Sequence, residues 1–212
     1  GDHVQTRKSA STLPSVRSKD CNTIVIKPWK ILESEQTLRD QYLGVRTDKC
    51  VRADGHIVET YHVIQQAPWV TIIPVTDAGN VVLVREYRHA SQTILTGLPG
   101  GGSDPGETDW EAVGRRELVE ETGYEACEMR LVGRCYPNPA LQDNELFYYL
   151  ALGCTPSAQQ SLDPHEEIEV FELPYSEFVA YEGLDVQHAL HAAALFYAER
   201  SFQKTPELRP TA

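Results

Sequence analysis

Three glutamates offer the most chemistry in this chain of 212 residues. In RRELVEETG, Glu117 and Glu121 stand four apart and Glu120 stands three from Glu117. On a helix all three project from roughly one side, about 5–6 Å between neighbours. Like charges so placed repel, and at an effective dielectric near 20 two carboxylates about 4 Å apart cost about 4 kcal/mol. A divalent cation between them reverses the sign, and a hard, oxygen-seeking ion such as Mg2+ or Mn2+ suits carboxylates. An isolated acidic run on a helix is usually a solvated face. Here the run follows residues 97–107, GLPGGGSDPGE, a loop whose glycines let backbone approach a phosphate closely. Both halves of a metal and phosphate site are adjacent.

The elements that must hold these groups follow from pattern. Thr108 and Glu111 have the spacing of a capping box, so a helix is expected from near Thr108 to Thr122, with Gly123 as its left-handed stop. Over residues 24–64 short β-rich runs alternate with turn signals, notably Asp54-Gly55, which predicts a small antiparallel piece. VTIIPV and VVLVREY, joined by Asp77-Ala78-Gly79-Asn80, form a second hairpin, and their near-continuous apolar character predicts strands buried on both faces. Further strands are expected at 129–136, 146–153 and 167–173, and a last helix over 186–202. There Val186, Leu190, Ala193, Ala194 and Tyr197 make one apolar stripe. His188 and His191 lie three apart on that helix, but without an acidic or cysteine partner packing outweighs a metal. Trp69, Trp110, Tyr148 and Tyr149 read as core, while Trp29 and Tyr136 are weaker candidates for base stacking.

Composition sets the class. The chain suits one domain with a small appendage, and 41% hydrophobic with 24% charged residues is ordinary globular usage. The net charge of −12 opposes capture by nucleic acid or anionic lipid, both of which need clustered Lys and Arg. No apolar run approaches the length of a membrane span, and the opening stretch lacks the apolar core of a secretory signal, so a cytoplasmic protein is expected. The five cysteines contain no CxxC pair and read as reduced thiols. Residues 1–23, polar and Ser-rich, read as a flexible tail.

Gly101 through Glu107 (GGSDPGE), then Arg116 through Tyr124 (RELVEETGY), resemble the Nudix box. The family pattern places seven residues between its first Glu and the REUXEEXGU run, whereas here 108–115 are eight. One inserted residue would turn Glu107 by about 100° if a helix absorbed it, and a loop could leave the carboxylate in place. The resemblance implies Glu117, Glu121, Glu120 and Glu107 as metal ligands with the Gly100 carbonyl, an internal ion pair for Arg116, and Gly101 and Gly102 against the substrate.

Over roughly residues 25–200 the chain is similar to the ADP-ribose pyrophosphatase and nucleotide-sugar diphosphatase branch. In VREYRHA, Arg88 matches the branch's phosphate-binding arginine, in preference to Arg85. The acidic loop LDPHEEIEV implies Glu166 as a further ligand. Pro164 stands where a glutamate is often found, so the catalytic base is Glu166, Glu167 or Asp163, beside Glu120 and Glu121. YPNPALQDN at 136–144 departs from the usual Pro-Gly segment. The implied fold is α/β: a Nudix α/β/α sandwich with a mixed sheet (66–204), an N-terminal antiparallel β subdomain (24–65) and a C-terminal tail (205–212). The implied activity is Mg2+- or Mn2+-dependent hydrolysis of the diphosphate in a small nucleotide compound, ADP-ribose or a nucleotide sugar, by a homodimer. The alternative is a catalytically impaired fold that binds nucleotide without cutting it.

Overall fold

The computed structural model describes residues 26–180 and 188–211; the expected tail (1–23) and Val186 lie outside them. Strands β1 (Lys30–Arg39), β2 (Gly44–Val51) and β3 (Ile57–Gln65) form a three-stranded antiparallel sheet in that order. The β2–β3 turn closes where expected, with Gly55 at φ 86°, a conformation open to glycine at no steric cost.

The main sheet takes β4 (Trp69–Thr76), β5 (Asn80–Arg88) and β6 (Thr93–Gly97) before helix α1 (Trp110–Thr122). It then takes β7 (Tyr124–Glu125), β8 (Glu128–Cys135), β9 (Leu146–Pro156) and β10 (Ile168–Pro174), followed by helices α2 (Tyr175–Ala180) and α3 (Ala189–Lys204). Its path is β10-β5-β4-β9-β7, with β6 beside β5 and β8 beside β9. β4 and β9 run parallel while the other pairs are antiparallel, so the sheet is mixed.

Alternation along the strands builds the layers. Val70 and Ile72 of β4 pack with Val113 and Leu118 of α1 on one face. Ile73 and Val75 pack with Phe178 of α2 and Ala194, Ala198 and Phe202 of α3 on the other. Each fully buried Leu or Ile contributes about 1.5–3 kcal/mol, and a strand apolar on both faces can serve both helix layers only from the sheet interior. Trp110 stacks on Phe147 at 5.0 Å between centroids, and Tyr148 and Tyr149 are buried, all in the core as expected.

Two local expectations change. The N-cap of α1 is Asp109, whose Oδ1 accepts from the Glu111 and Ala112 amides at 3.1 Å each. Thr108 therefore makes no capping box, and Glu111 instead pairs with Arg115 one turn on at 3.0 Å. The last helix begins at Ala189, because the His188 ring accepts from the Leu190 amide (3.2 Å) and acts as its cap. In the C-terminal tail, residues 206–208 form a short 3-10 turn, with Arg209 paired to Glu199 and set over the Phe202 ring. The departure at 136–144 has a structural role as well. Leu141 accepts from the Ile64 amide (2.8 Å), Ala140 accepts from the Tyr61 hydroxyl (2.8 Å) and Asp143 pairs with Arg46 (3.5 Å), so this loop docks the small sheet on the large one.

Candidate active site

Helix α1 carries the acidic group, and the glycine loop after β6 lies against it. Glu117 and Glu121 turn inward and are only 9% and 5% exposed. The Gly100 amide donates to Glu121 Oε2 at 2.8 Å. Gly100 itself adopts φ 152°, where an added Cβ would stand 2.1 Å from the Val70 carbonyl oxygen. At Gly101 an added Cβ would stand 2.5 Å from a Glu117 carboxylate oxygen. The glycines thus let main chain lie directly against the two buried carboxylates. Gly101 and Gly102 also tie the loop to the sheet, the former accepting from the Val70 amide (2.9 Å), the latter bridging to Trp69.

Arg116 is the internal counter-charge. It reaches Glu117 at 2.8 Å, Glu120 at 2.9 Å and Glu107 at 3.3 Å. Burial works against its charge, yet these three carboxylates carry its pKa above the usual arginine range. Glu107 lies in the loop before α1, and its carboxylate pairs with Arg116.

Burial raises Glu117 to about 7, against the pull of Arg116 and helped by Glu120 and Glu166. Burial raises Glu121 to about 8, against the Gly100 amide and helped by Glu117, Glu86 and Glu166. Among the described residues no three acidic, His or Cys side chains are gathered closely enough to hold an ion as they stand. The donor set nevertheless fits a hard divalent cation: two sunken carboxylates, each destabilised by neighbouring acids, supply oxygen ligands whose charge is incompletely compensated.

Of the loop acids, Glu166 is felt electrostatically by both Glu117 and Glu121; its carboxylate accepts from the Asp163 amide at 3.0 Å. Glu167 is exposed and Asp163 helps form the turn. Arg88 pairs with Glu86, whereas Arg85 pairs with Glu169 and lies over Phe171. Each arginine is thus held by one glutamate, Arg88 by a neighbour on its own strand and Arg85 by a residue of β10. Glu86 was not anticipated, because in the sequence it is one polar residue at the end of an apolar strand. The His188 and His191 rings lie tilted with centroids 4.7 Å apart, and burial together with His188 and Arg88 pushes His191 down to about 3, keeping it neutral. Two cavities flank these groups. One, of about 500 Å³, lies between the turn after β1 (Arg39, Tyr42) and the loop at Asp104 and Glu107. The other, of about 470 Å³, is lined by Arg88, Trp69, Asn144 and His188.

Comparison with known proteins gives the family and the fold. The NUDIX domain matches residues 66–195, and the nucleoside diphosphate sugar hydrolase N-terminal domain matches residues 29–64. A methanol dehydrogenase activator of Bacillus methanolicus is 26% identical over 72% of this chain and 82% of its own length. An ADP-ribose pyrophosphatase of Bacillus subtilis is 29% identical over 61% of this chain and 71% of its own. A crystal structure of an ADP compounds hydrolase superposes with a TM-score of 0.73 at 22% identity, covering 86% of this chain and 98% of that one, which supports the fold. With a buried glutamate pair on α1, a glycine loop against it and a family match over most of the main sheet, the chain belongs to the NUDIX family and is a Nudix-type pyrophosphatase preceded by a nucleoside diphosphate sugar hydrolase N-terminal domain.

Proposed function

We propose that this enzyme hydrolyses the diphosphate linkage of a nucleoside diphosphate-linked compound with Mg2+ or Mn2+, and that the substrate is ADP-ribose or a nucleotide sugar. The observation that carries the reading is the sunken pair Glu117 and Glu121 against Gly100 and Gly101. Glu117 and Glu121 would hold the cation, joined by Glu120, Glu107, Glu166 and the Gly100 carbonyl. When bound, the cation supplies charge neutralisation of the diphosphate and an acidified water. Arg88 binds substrate phosphate, and the Gly101–Gly102 backbone sets its distance from α1. Glu166 receives the proton of the attacking water, because among the three loop candidates it is the one that Glu117 and Glu121 feel. With ADP-ribose the products are AMP and ribose 5-phosphate. The names of the relatives and of the N-terminal domain support this substrate class.

A cytoplasmic setting is part of the proposal, supported by the free thiols of Cys50, Cys127, Cys135 and Cys154. So is a small-molecule partner rather than nucleic acid, given the charge of −12. So is a homodimer. β1 is exposed along its whole length, and Trp29, Ile31, Leu32 and Leu38 present apolar surface there, the kind of edge that a second copy covers. Light scattering giving the mass of a single chain would remove the dimer.

The deciding experiment is mass spectrometry of products from ADP-ribose, ADP-glucose and GDP-mannose with Mg2+, comparing wild type with Glu121→Gln. Mg2+-dependent cleavage that falls by about a hundredfold or more in the variant, as loss of a transition-state electrostatic contact does, is expected. Saturable binding of these compounds without turnover would instead favour the nucleotide-binding alternative.

A further inference from the structure

We propose that Glu86 is a positioning residue that holds Arg88 aside until a divalent cation takes over its carboxylate, so that the enzyme engages cation first and diphosphate second. The inference rests on the diphosphate-hydrolase reading above. Glu86 and Arg88 sit two apart on β5, so both side chains leave the same face of the strand. The Glu86 carboxylate is 16% exposed and is paired with Arg88 Nη2. Opposite Glu86 on β10 stands Ile168, two residues after the loop acid Glu166. Glu121 and Glu166 both interact electrostatically with Glu86. Of the Nudix-box glutamates, Glu117, Glu120 and Glu121 come from α1 and Glu107 from the loop before it, and the loop acid Glu166 precedes β10; Glu86 adds a carboxylate from β5, outside either motif.

The two partners of this ion pair face different duties. Arg88 is the guanidinium suited to a diphosphate, which it would grip through parallel N–H donors. While Glu86 holds it, part of its charge and one of its terminal nitrogens are committed. A cation settling among Glu86, Glu121 and Glu166 compensates Glu86 and repels the guanidinium. Both effects free Arg88 toward the ligand. Cation and diphosphate then bind with positive coupling, and the coupling is reciprocal.

The test measures binding rather than turnover. Titration calorimetry follows α,β-methylene ADP, a non-hydrolysable diphosphate, with EDTA or with saturating Mg2+, and follows Mg2+ alone. For wild type, Mg2+ is expected to tighten the analogue about tenfold or more, within the usual range of coupling between sites. Glu86→Gln is isosteric and removes a charge from a largely buried site, so folding should persist, checked by thermal denaturation. In this variant the analogue should bind about tenfold more tightly in EDTA, Mg2+ alone about tenfold more weakly, and the coupling should shrink. The double variant Glu86→Gln with Arg88→Gln should lose the gain in EDTA, which assigns it to Arg88. Unchanged or weaker binding of the analogue by Glu86→Gln in EDTA overturns the proposal. Wild type that binds neither Mg2+ nor the analogue would instead overturn the functional reading beneath it.

Discussion

Substituting Gly101 by alanine separates the site from the fold. The residue is not among those with positive φ, so its backbone accepts a side chain without strain. The three nearest atoms to an added Cβ all belong to the Glu117 carboxylate, at 2.5, 2.6 and 2.7 Å. Ordinary contact begins at 3.4 Å, so the carboxylate must retreat by about 0.9 Å. It can do so, being the end of a flexible side chain, but only by loosening its 2.8 Å ion pair with Arg116. Misplacing a reacting group by about 1 Å costs about a hundredfold in rate, whereas loss of one partly exposed ion pair costs about 1 kcal/mol or less in stability. Gly101→Ala should therefore keep its urea midpoint within that margin while kcat/KM for ADP-ribose falls about a hundredfold and half-activation requires more Mg2+. Coupled phosphate release and chemical denaturation measure the two quantities. Wild-type turnover and Mg2+ dependence would refute the placement of Glu117 beside the reaction, and an unfolded variant would show that the glycine serves packing instead.

The neighbouring Gly100→Ala should behave oppositely, because its Cβ meets the Val70 backbone at φ 152°; chemical denaturation should show a loss above about 2 kcal/mol. Asp109→Ala removes the side-chain acceptor of two α1 amides and should cost about 1 kcal/mol in the same assay. The metal-free protein should lose stability as pH rises. Folded Glu117 and Glu121 titrate near 7 and 8, above the usual 4.5, so their contribution is fully present below that value and is lost as pH climbs through 7 to 8. Urea midpoints in EDTA should fall between about pH 5 and about pH 8.5, and Glu121→Gln should flatten the decline. A decline of equal steepness in both proteins would refute the assignment to that glutamate.

Patterns of short range were legible without coordinates. Alternation and apolar runs located β4, β5, β8, β9 and β10 to within a few residues, because period and burial are written locally. The spacing of Glu117, Glu120 and Glu121 placed them on one side of α1 for the same reason. The cap of α1 was misplaced by one residue, since Thr108 and Asp109 are both competent acceptors and only the chain's path selects between them.

What no local pattern carries is the pairing of distant strands and the burial it produces. That Glu107 meets Arg116, nine residues away, follows from the path of the loop before α1. Among the loop acids, Glu166 is the one whose charge acts on Glu117 and Glu121, a relation between residues far apart in the chain. Glu86 lies opposite Ile168, two residues after Glu166, through the pairing of β10 with β5. A carboxylate's energy depends on the charges and solvent around it in space, and chain order lists neither. Residue types and spacings therefore determined which groups could bind a cation, and the packed sheet decided which of them are buried together, and at what proton affinity.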